Sequence, residues 1–438
     1  MAINNAELSR GRLAFLKNER DDELFPRERA EKLRKVVEYA GNNFSFYQQK
    51  LSEAGINPED IRSFADLRNI PFTTKEELRR VYPLNAQAAP DEEVVRIHSS
   101  SGTTGKPIII PYTQSDVNVW AEMMARCLKM TGVNQLDRVQ VTPGYGLWTA
   151  GIGFQAGVEK LGAMSIPTGP GNTEKQLEMM RDLGTTVLIG TSSYGLLLAE
   201  ECAKRGIMDQ LRLRIGVFGS ERWGERMRNR IEEIFAIDTF DIYGLTEIYG
   251  PGIAIDCPYH HGLHYWDDHL FFEIIDPTTG QPVPEGMQGE LVVTTLTKQG
   301  MPLLRYRTRD LTRFITEPCP CGSPYPQIDR IFARSDDMLK IHGVNIYPGQ
   351  IEHALQITPG LSSEYEITLT RKEGRDSLLL KVEAEVFSSD EERVNLGQAL
   401  TRNIKTKIGI SAGCEIVEIG ALKRSEKKTK RVYDLRQT

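Results

Sequence analysis

No stretch of this 438-residue chain approaches the ~18 consecutive apolar residues of a membrane-spanning helix, which excludes a helical membrane span. Charge of one sign is scarce as well. Lys and Arg total 54 against 60 Asp and Glu, a net charge of −6, so no broad field gathers nucleic acid or an anionic membrane, and an anionic ligand must be held by local groups. Six cysteines, two of them separated by a single residue, are too few for a disulfide framework in a chain of this size; they point to a reduced compartment and a candidate metal site. Met1 to Glu7 carry no basic region followed by an apolar core, so a cytoplasmic protein is expected. Repeats and low-complexity tracts are absent too.

What is present is length for two or three domains at roughly 150 residues each. The densest chemistry lies at His98-Ser99-Ser100-Ser101-Gly102-Thr103-Thr104-Gly105-Lys106-Pro107, between the apolar runs Val94–Ile97 and Ile108–Ile110. Glycines let the backbone approach an anion, hydroxyls and amides donate, and Lys106 adds charge, so this is a phosphate-holding loop. It is not a P-loop: two residues separate Gly102 from Gly105, and Pro107 stands where Ser or Thr and a helix would follow the lysine.

Residues 1 to 90 are charged and helical in pattern, clearest over Arg27–Ala40, and Thr74 with Glu77 has the spacing of a capping box. From 94 to about 245, strands at 138–142, 163–167, 186–190, 214–219 and 238–243 alternate with helices around 115–130, 147–161, 173–183, 193–205 and 222–235. That alternation predicts an α/β architecture with a mainly parallel sheet, whose ligands sit at the carboxyl ends of strands. Residues 264 to 315 turn strand-rich, with Asp276–Gly280 as a turn and Gly289–Leu296 as a strand. Past Arg334-Ser335-Asp336-Asp337 the pattern restarts as a small α+β unit, with a helix opening near Pro348, a hairpin across Arg371–Asp376 and a helix at about 389–407. Two domains are expected, 1–335 and 336–438, a normal size for a second domain.

Tyr243-Gly244-Leu245-Thr246-Glu247 places an acid at a strand end, and Arg305-Tyr306-Arg307-Thr308-Arg309-Asp310 follows the strand pair. In order and spacing these two elements, the hydroxyl-glycine loop and the Arg334–Lys340 stretch resemble the adenylate-forming superfamily of acyl- and aryl-CoA synthetases, luciferases and peptide-synthetase adenylation domains. Tyr145-Gly146-Leu147-Trp148, Gly171–Glu174, Asp241–Gly244, Trp266–His269 and Gly343–Pro348 make the whole chain similar to its phenylacetate-CoA ligase family.

The resemblance implies a ligase that uses ATP, Mg²⁺ and coenzyme A: the carboxylate of an aryl acid, phenylacetate above all, attacks the α-phosphate, pyrophosphate leaves, and the thiol then displaces AMP. It also implies roles. Ser99, Ser100, Ser101, Gly102, Thr103, Thr104, Gly105 and Lys106 wrap the β- and γ-phosphates. Glu247, with Thr246 beside it in the catalytic set, holds Mg²⁺, a hard cation that prefers oxygen. Tyr243 stacks on adenine, the Gly219-Ser220-Glu221 turn lines the base, and Asp241 and Gly244 belong to the same nucleotide-binding stretch. Asp310 accepts from the ribose hydroxyls, with Arg334 near the sugar or the phosphates. Lys428 aligns as the mobile catalytic lysine, although Lys427 stands where the family pattern has glycine. Asp336 is the hinge of a mobile C-terminal domain whose rotation brings Gly343 to the pantetheine channel. Tyr145, Gly146, Trp148 and Phe154 match the aryl-binding region, with Trp148 in place of an expected phenylalanine. A homodimer is expected on the same ground.

The cysteines speak independently. Cys319-Pro320-Cys321 and Cys257 offer three thiolates, with His264 preferred over His261 or His260 as a fourth ligand, a donor set suited to structural Zn²⁺. Rival readings are an adenylating relative serving another acceptor or acid (a deazaflavin coenzyme, indoleacetate, benzoate), a nucleotide-binding regulator without turnover, or a zinc-containing interaction protein; intact Glu247, Asp310 and Lys428 speak against the last two.

Overall fold

The computed structural model of the chain describes residues 25–100, 106–341, 344–372, 375–384, 389–425 and 429–436. Helix α1 (Phe25–Asn43) buries Leu33, Val36, Val37 and Ala40, one stripe at helical spacing. It packs with α2 (Ser45–Glu53), and α3 (Lys75–Arg80) begins at the expected box: Thr74 accepts from the Glu77 amide while the Glu77 carboxylate accepts from the Thr74 amide at 2.8 Å. The hairpin of β1 (Val94–Ser99) and β2 (Ile109–Thr113) pairs Ser99 with Ile109 and so closes the base of the hydroxyl-glycine loop. Helix α4 (Gln114–Met130) follows on a second capping box, Thr113 with Asp116, and lies against α5 (Thr149–Leu161).

The central sheet has nine strands. Its parallel half runs β4 (Met164–Ile166), β3 (Arg138–Val141), β5 (Val187–Thr191), β6 (Ile215–Gly219) and β7 (Asp238–Leu245), joined through α5, α6 (Thr173–Asp182), α7 (Ser192–Arg205) and α8 (Glu225–Phe235). These bear out the α/β expectation, with shifts at two helix starts. Trp148 is extended (φ −75°, ψ 141°), so α5 opens at Thr149, and an extended Gly224 delays α8 to Glu225. The antiparallel half continues through β8 (Gly250–Asp256), β9 (Leu263–Tyr265), β14 (Gln327–Ile328) and β13 (Phe314–Ile315). Strand β8 escaped the sequence reading because Gly250 and Gly252 look like turn residues. They sit at φ 103° and 97° inside the sheet, where a Cβ would lie 2.7 Å from Trp120 and 2.8 Å from Met124.

A second sheet orders β10 (Leu270–Ile275), β11 (Gly289–Thr295), β12 (Tyr306–Thr312) and β15 (Ala333–Arg334), all antiparallel. Beyond it come the hairpin β16 (Leu339–Ile341) and β17 (Val344–Ile346), α9 (Pro348–Gln356), and a sheet ordered β20 (Gly413–Glu418), β19 (Arg375–Ala384), β18 (Leu361–Lys372) and β21 (Val432–Asp434), backed by α10 (Asp390–Ile408). One apolar core runs from Leu33 to Ile328, a second lies under α7 and α8 between Leu177 and Ile237, and a third is confined to Ile341–Ile416. None of the described helices is long and apolar enough to cross a membrane.

The arrangement fixes where a ligand sits. Strand β3 is flanked by β4 on one side and β5 on the other, so the chain reverses direction across it. The segments leaving the carboxyl ends of β3, β5, β6 and β7 line one edge of the parallel half, the carboxyl edge outside which α/β sheets bind ligands.

Candidate active site

The ends of β3, β6 and β7 carry sequence-predicted residues, and the end of β5 is tied to them. After β7, the Tyr243 hydroxyl donates to Asp310 Oδ2 at 2.5 Å, and Arg334 donates to Asp310 Oδ1 at 2.8 Å and to Asp336 at 3.0 Å. Asp310 and Arg334 are register partners of β12 and β15, so sheet pairing sets this chain of contacts. Arg309 just before it is held at φ 69°, a conformation non-glycine residues seldom adopt, by Ser335 N–H donating to its carbonyl at 2.7 Å. Burial pushes the Asp310 carboxyl up to about 6 against the pull of Arg334. Asp241, on β7, is likewise pushed up to about 6 by burial, opposed in part by Arg228.

After β6, Gly219 has no room for a side chain: a Cβ would lie 2.3 Å from the Ile242 carbonyl oxygen. Gly244 is as tight, with 2.0 Å to the Gly250 oxygen. Ser220 is at φ 69°, and Glu221 Oε1 accepts from the Ser193 amide at 2.7 Å, tying the ends of β5 and β6 together. Its other oxygen accepts from the Thr429 amide at 3.2 Å. Lys428 itself, like Ser101 to Gly105 and Gly343, lies outside the described residues. Of the phosphate loop, Ser99 and Ser100 are buried, and Ser100 Oγ accepts from the Ile108 amide at 2.9 Å. Lys106 lies 5.3 Å over the Tyr82 ring.

Glu247 is buried and paired with Lys75 at 2.9 Å, while Thr246 Oγ1 lies 3.4 Å from Thr149 Oγ1. Beneath them is a residue the sequence reading missed. Lys298, 1% exposed, points its ammonium between the rings of Tyr112 and Tyr249 at 4.4 and 4.8 Å and donates to the carbonyls of Glu247 (3.3 Å) and Ile248. Burial draws it down to about 7, opposed by Asp116 and Glu247. Lys75 was missed too. Neither carries a local signal, since their partners lie far away in sequence.

The segment between β3 and α5 presents Tyr145 and Trp148. The Tyr145 ring lies against Gly151, where a Cβ would be 2.7 Å away, and its buried hydroxyl has no hydrogen-bond partner. Burial raises that phenol to about 12. Gly146, at φ 85°, turns the chain between them, and Trp148 is 48% exposed. Phe154, expected beside them, is instead 2% exposed within the main core, because the stripe Gly153, Phe154, Gly157 and Val158 is the buried face of α5.

At the far end of the central sheet, Cys257, His264, Cys319 and Cys321 are buried with their ligand atoms all within 4.8 Å of one another. Cys257 and Cys319 sulfurs are 3.5 Å apart, and Cys321 Sγ is 3.3 Å from His264 Nε2. His264 Nδ1 donates to the Tyr325 carbonyl at 2.7 Å, which frees Nε2 for a ligand. His260 is engaged elsewhere, 2.6 Å from Asp256, so the geometry selects His264.

A nine-stranded α/β sheet with a hydroxyl-glycine hairpin and a Tyr-Asp-Arg chain at its carboxyl edge is the framework of the adenylate-forming enzymes. The family model of the AMP-binding enzyme matches residues 19–297, and that of the AMP-binding enzyme C-terminal domain matches 343–436. A phenylacetate-coenzyme A ligase of Pseudomonas putida is 45% identical over 93% of both chains, and one of Thermus thermophilus is 40% identical over 95% of this chain and 98% of its own. Among solved structures, a 2-hydroxyisobutyryl-CoA ligase in the postadenylation state, with its R3-HIB-AMP, superposes at a TM-score of 0.85 with 27% identity, covering 93% of this chain and 88% of that one. The same ligase in the thioesterification state, with 2-HIB-AMP and CoA, gives 0.69 at 28% identity over 94% and 90%. The chain belongs to the phenylacetate-coenzyme A ligase family of the AMP-binding enzymes.

Proposed function

We propose that the protein joins phenylacetate, or a close arylacetic acid, to coenzyme A through an acyl-adenylate. The observation that carries this is the Tyr243-Asp310-Arg334 chain at the carboxyl end of β7, with Glu247 buried just past the end of the same strand. In the first reaction a carboxylate oxygen bonds to the α-phosphorus as the bond to pyrophosphate breaks. In the second, the sulfur of coenzyme A bonds to the acyl carbon and AMP leaves. Both steps move negative charge, so preset cations and amides supply the catalysis. Ser99 to Lys106 hold the departing pyrophosphate. Tyr243 and Gly244, with Gly219, Ser220, Glu221 and Asp241, enclose the base, and Asp310 accepts from the ribose. A buried carboxylate at the strand end suits Mg²⁺, which Glu247 would hold with Thr246 beside it; the ion, when bound, would offset polyphosphate charge. Lys428 bridges the carboxylate and the α-phosphate.

The better match to a postadenylation state, and Thr429 seated on Glu221, favour an adenylation arrangement of the chain's two parts. The boundary near Ser335 separates them, and rotation about Asp336 exchanges Lys428 for Gly343 at the acyl group. Tyr145 and Trp148 on the Gly146 turn offer aromatic walls for a flat ring; Phe154 supports them from the core. Cys257, His264, Cys319 and Cys321 would hold Zn²⁺ as a structural clip between β8, β9 and the loop before β14. The family resemblance also supports a homodimer, and six free cysteines favour the cytoplasm.

An acid panel tests the reading. With ATP and Mg²⁺, phenylacetate is expected to release pyrophosphate faster than benzoate, indoleacetate or fatty acids, and thioester is expected only with coenzyme A. Absence of pyrophosphate with every acid contradicts the ligase reading; AMP transfer to a deazaflavin contradicts the acceptor.

A further inference from the structure

The helical segment before β1 has no role in the reaction as described so far, yet it reaches the phosphate site at two points. Lys75 pairs with Glu247 at 2.9 Å, and the ring of Tyr82 lies under the ammonium of Lys106 at 5.3 Å. The segment is anchored firmly. Thr73 N–H donates to the Arg305 carbonyl at 3.0 Å, Arg307 N–H donates to Thr73 at 2.9 Å, and Thr73 Oγ1 donates to the Leu304 carbonyl at 2.8 Å. The Lys75 backbone is therefore fixed to the head of β12, a few residues before Asp310, and its side chain is the part that can move.

The Glu247 side chain is 4% exposed and that of Lys75 33%. A buried carboxylate needs a cation, because removing one partner of such a pair leaves an uncompensated charge. Lys298 does not supply it, since it donates to the backbone carbonyls of Glu247 and Ile248 rather than to the carboxylate. Lys75 is thus the ion-pair partner of the Glu247 carboxylate. An ammonium at hydrogen-bond distance and a divalent ion cannot share the same carboxylate oxygen.

We propose that Lys75 is a further residue of the metal and polyphosphate site: it neutralises Glu247 in the nucleotide-free enzyme and passes from Glu247 to the polyphosphate when Mg·ATP arrives. The step is an exchange of counter-ions with no bond broken. It rests on the reading that Glu247 holds Mg²⁺. Its consequence is order of binding: while Lys75 occupies Glu247 the free metal binds poorly, and the metal enters together with the phosphates that draw the ammonium away. A flexible point charge suits that exchange.

The test uses Mn²⁺ alone as probe, followed by electron paramagnetic resonance on full-length protein without nucleotide. Lys75→Met is expected to bind Mn²⁺ at least about tenfold more tightly than the wild type, and to raise KM for Mg·ATP about tenfold while KM for the acid stays within about twofold. Lys75→Arg keeps a cation at the site and is expected to restore exclusion of Mn²⁺. Lys50→Met breaks the neighbouring Lys50–Glu77 pair, outside the site, and should change neither constant. Unchanged or weaker Mn²⁺ binding in Lys75→Met overturns the proposal. Glu247→Gln separates the two readings: if it leaves the metal requirement intact, the assignment of Glu247 itself fails, whereas its loss of Mn²⁺ binding with an unaffected Lys75→Met sinks only the lysine. Should Lys75→Met fold poorly, the double Lys75→Met/Glu247→Gln variant, which leaves neither charge unpaired, is expected to melt higher than Lys75→Met; strictly additive losses would contradict the pair.

Discussion

Lys428→Ala is expected to lower acid-dependent pyrophosphate release by about a hundredfold or more while changing ATP affinity by no more than a few fold. The asymmetry follows from where the charge is needed. On the proposed reading Lys428 serves the carboxylate and α-phosphate as the new bond forms, an interaction strongest in the transition state, whereas ground-state binding of ATP is assigned to Tyr243, Asp310 and the hydroxyl-glycine loop. The flanks of Lys428 are held at the site. Thr429 donates to Glu221 at 3.2 Å, and Arg424 pairs with Glu200 of α7 at 3.1 Å and with Glu383 of β19 at 2.9 Å. Under the proposed rotation the lysine withdraws before the thiol step, so the variant should still convert pre-formed phenylacetyl-adenylate to thioester. Pyrophosphate kinetics and thioester formation from the synthetic adenylate check both halves; wild-type pyrophosphate release refutes the assignment.

Cys319→Ser is expected to lose bound zinc and to lower the melting temperature by about 10 °C. Loss of a structural metal belongs with the costliest single changes, above about 4 kcal/mol, and each kcal/mol moves Tm by about 2–4 °C in a domain of this size. Four ligand atoms within 4.8 Å, buried and without a cation, would crowd thiols against one another, and the Tyr325 carbonyl already orients His264. Metal analysis with a melting curve before and after exhaustive chelation provides the check. A metal-free protein with an unshifted curve rules the site out. Kinetic constants should hold within a few fold at a temperature where the variant is folded, since the cluster lies at the opposite end of the sheet's strands from Glu247.

What the sequence disclosed follows a physical divide. Strands β3, β5, β6 and β7 were legible to within about two residues because each is a short apolar run bounded by turn residues. The Thr74–Glu77 box was legible because both partners lie within one helical turn. Tyr243, Asp310 and Arg334 were named from motifs, but that they join into one chain depends on β12–β15 register, which no local pattern encodes. Lys75 and Lys298 read as ordinary cations; only the fold brings one to the Glu247 carboxylate and the other beneath its backbone. Phe154 illustrates the converse, an aromatic within a pocket-like motif whose helical phase directs it into the core.

The central claim is that the acid is activated by bonding its own oxygen to the α-phosphorus of ATP. Phenylacetate labelled with heavy oxygen in its carboxylate tests it most directly, by mass analysis of the products after a single turnover with ATP, Mg²⁺ and coenzyme A. The account predicts one labelled oxygen in AMP, one retained in the thioester and none in pyrophosphate. Label in inorganic phosphate accompanied by ADP, or unlabelled AMP beside labelled water, would contradict it.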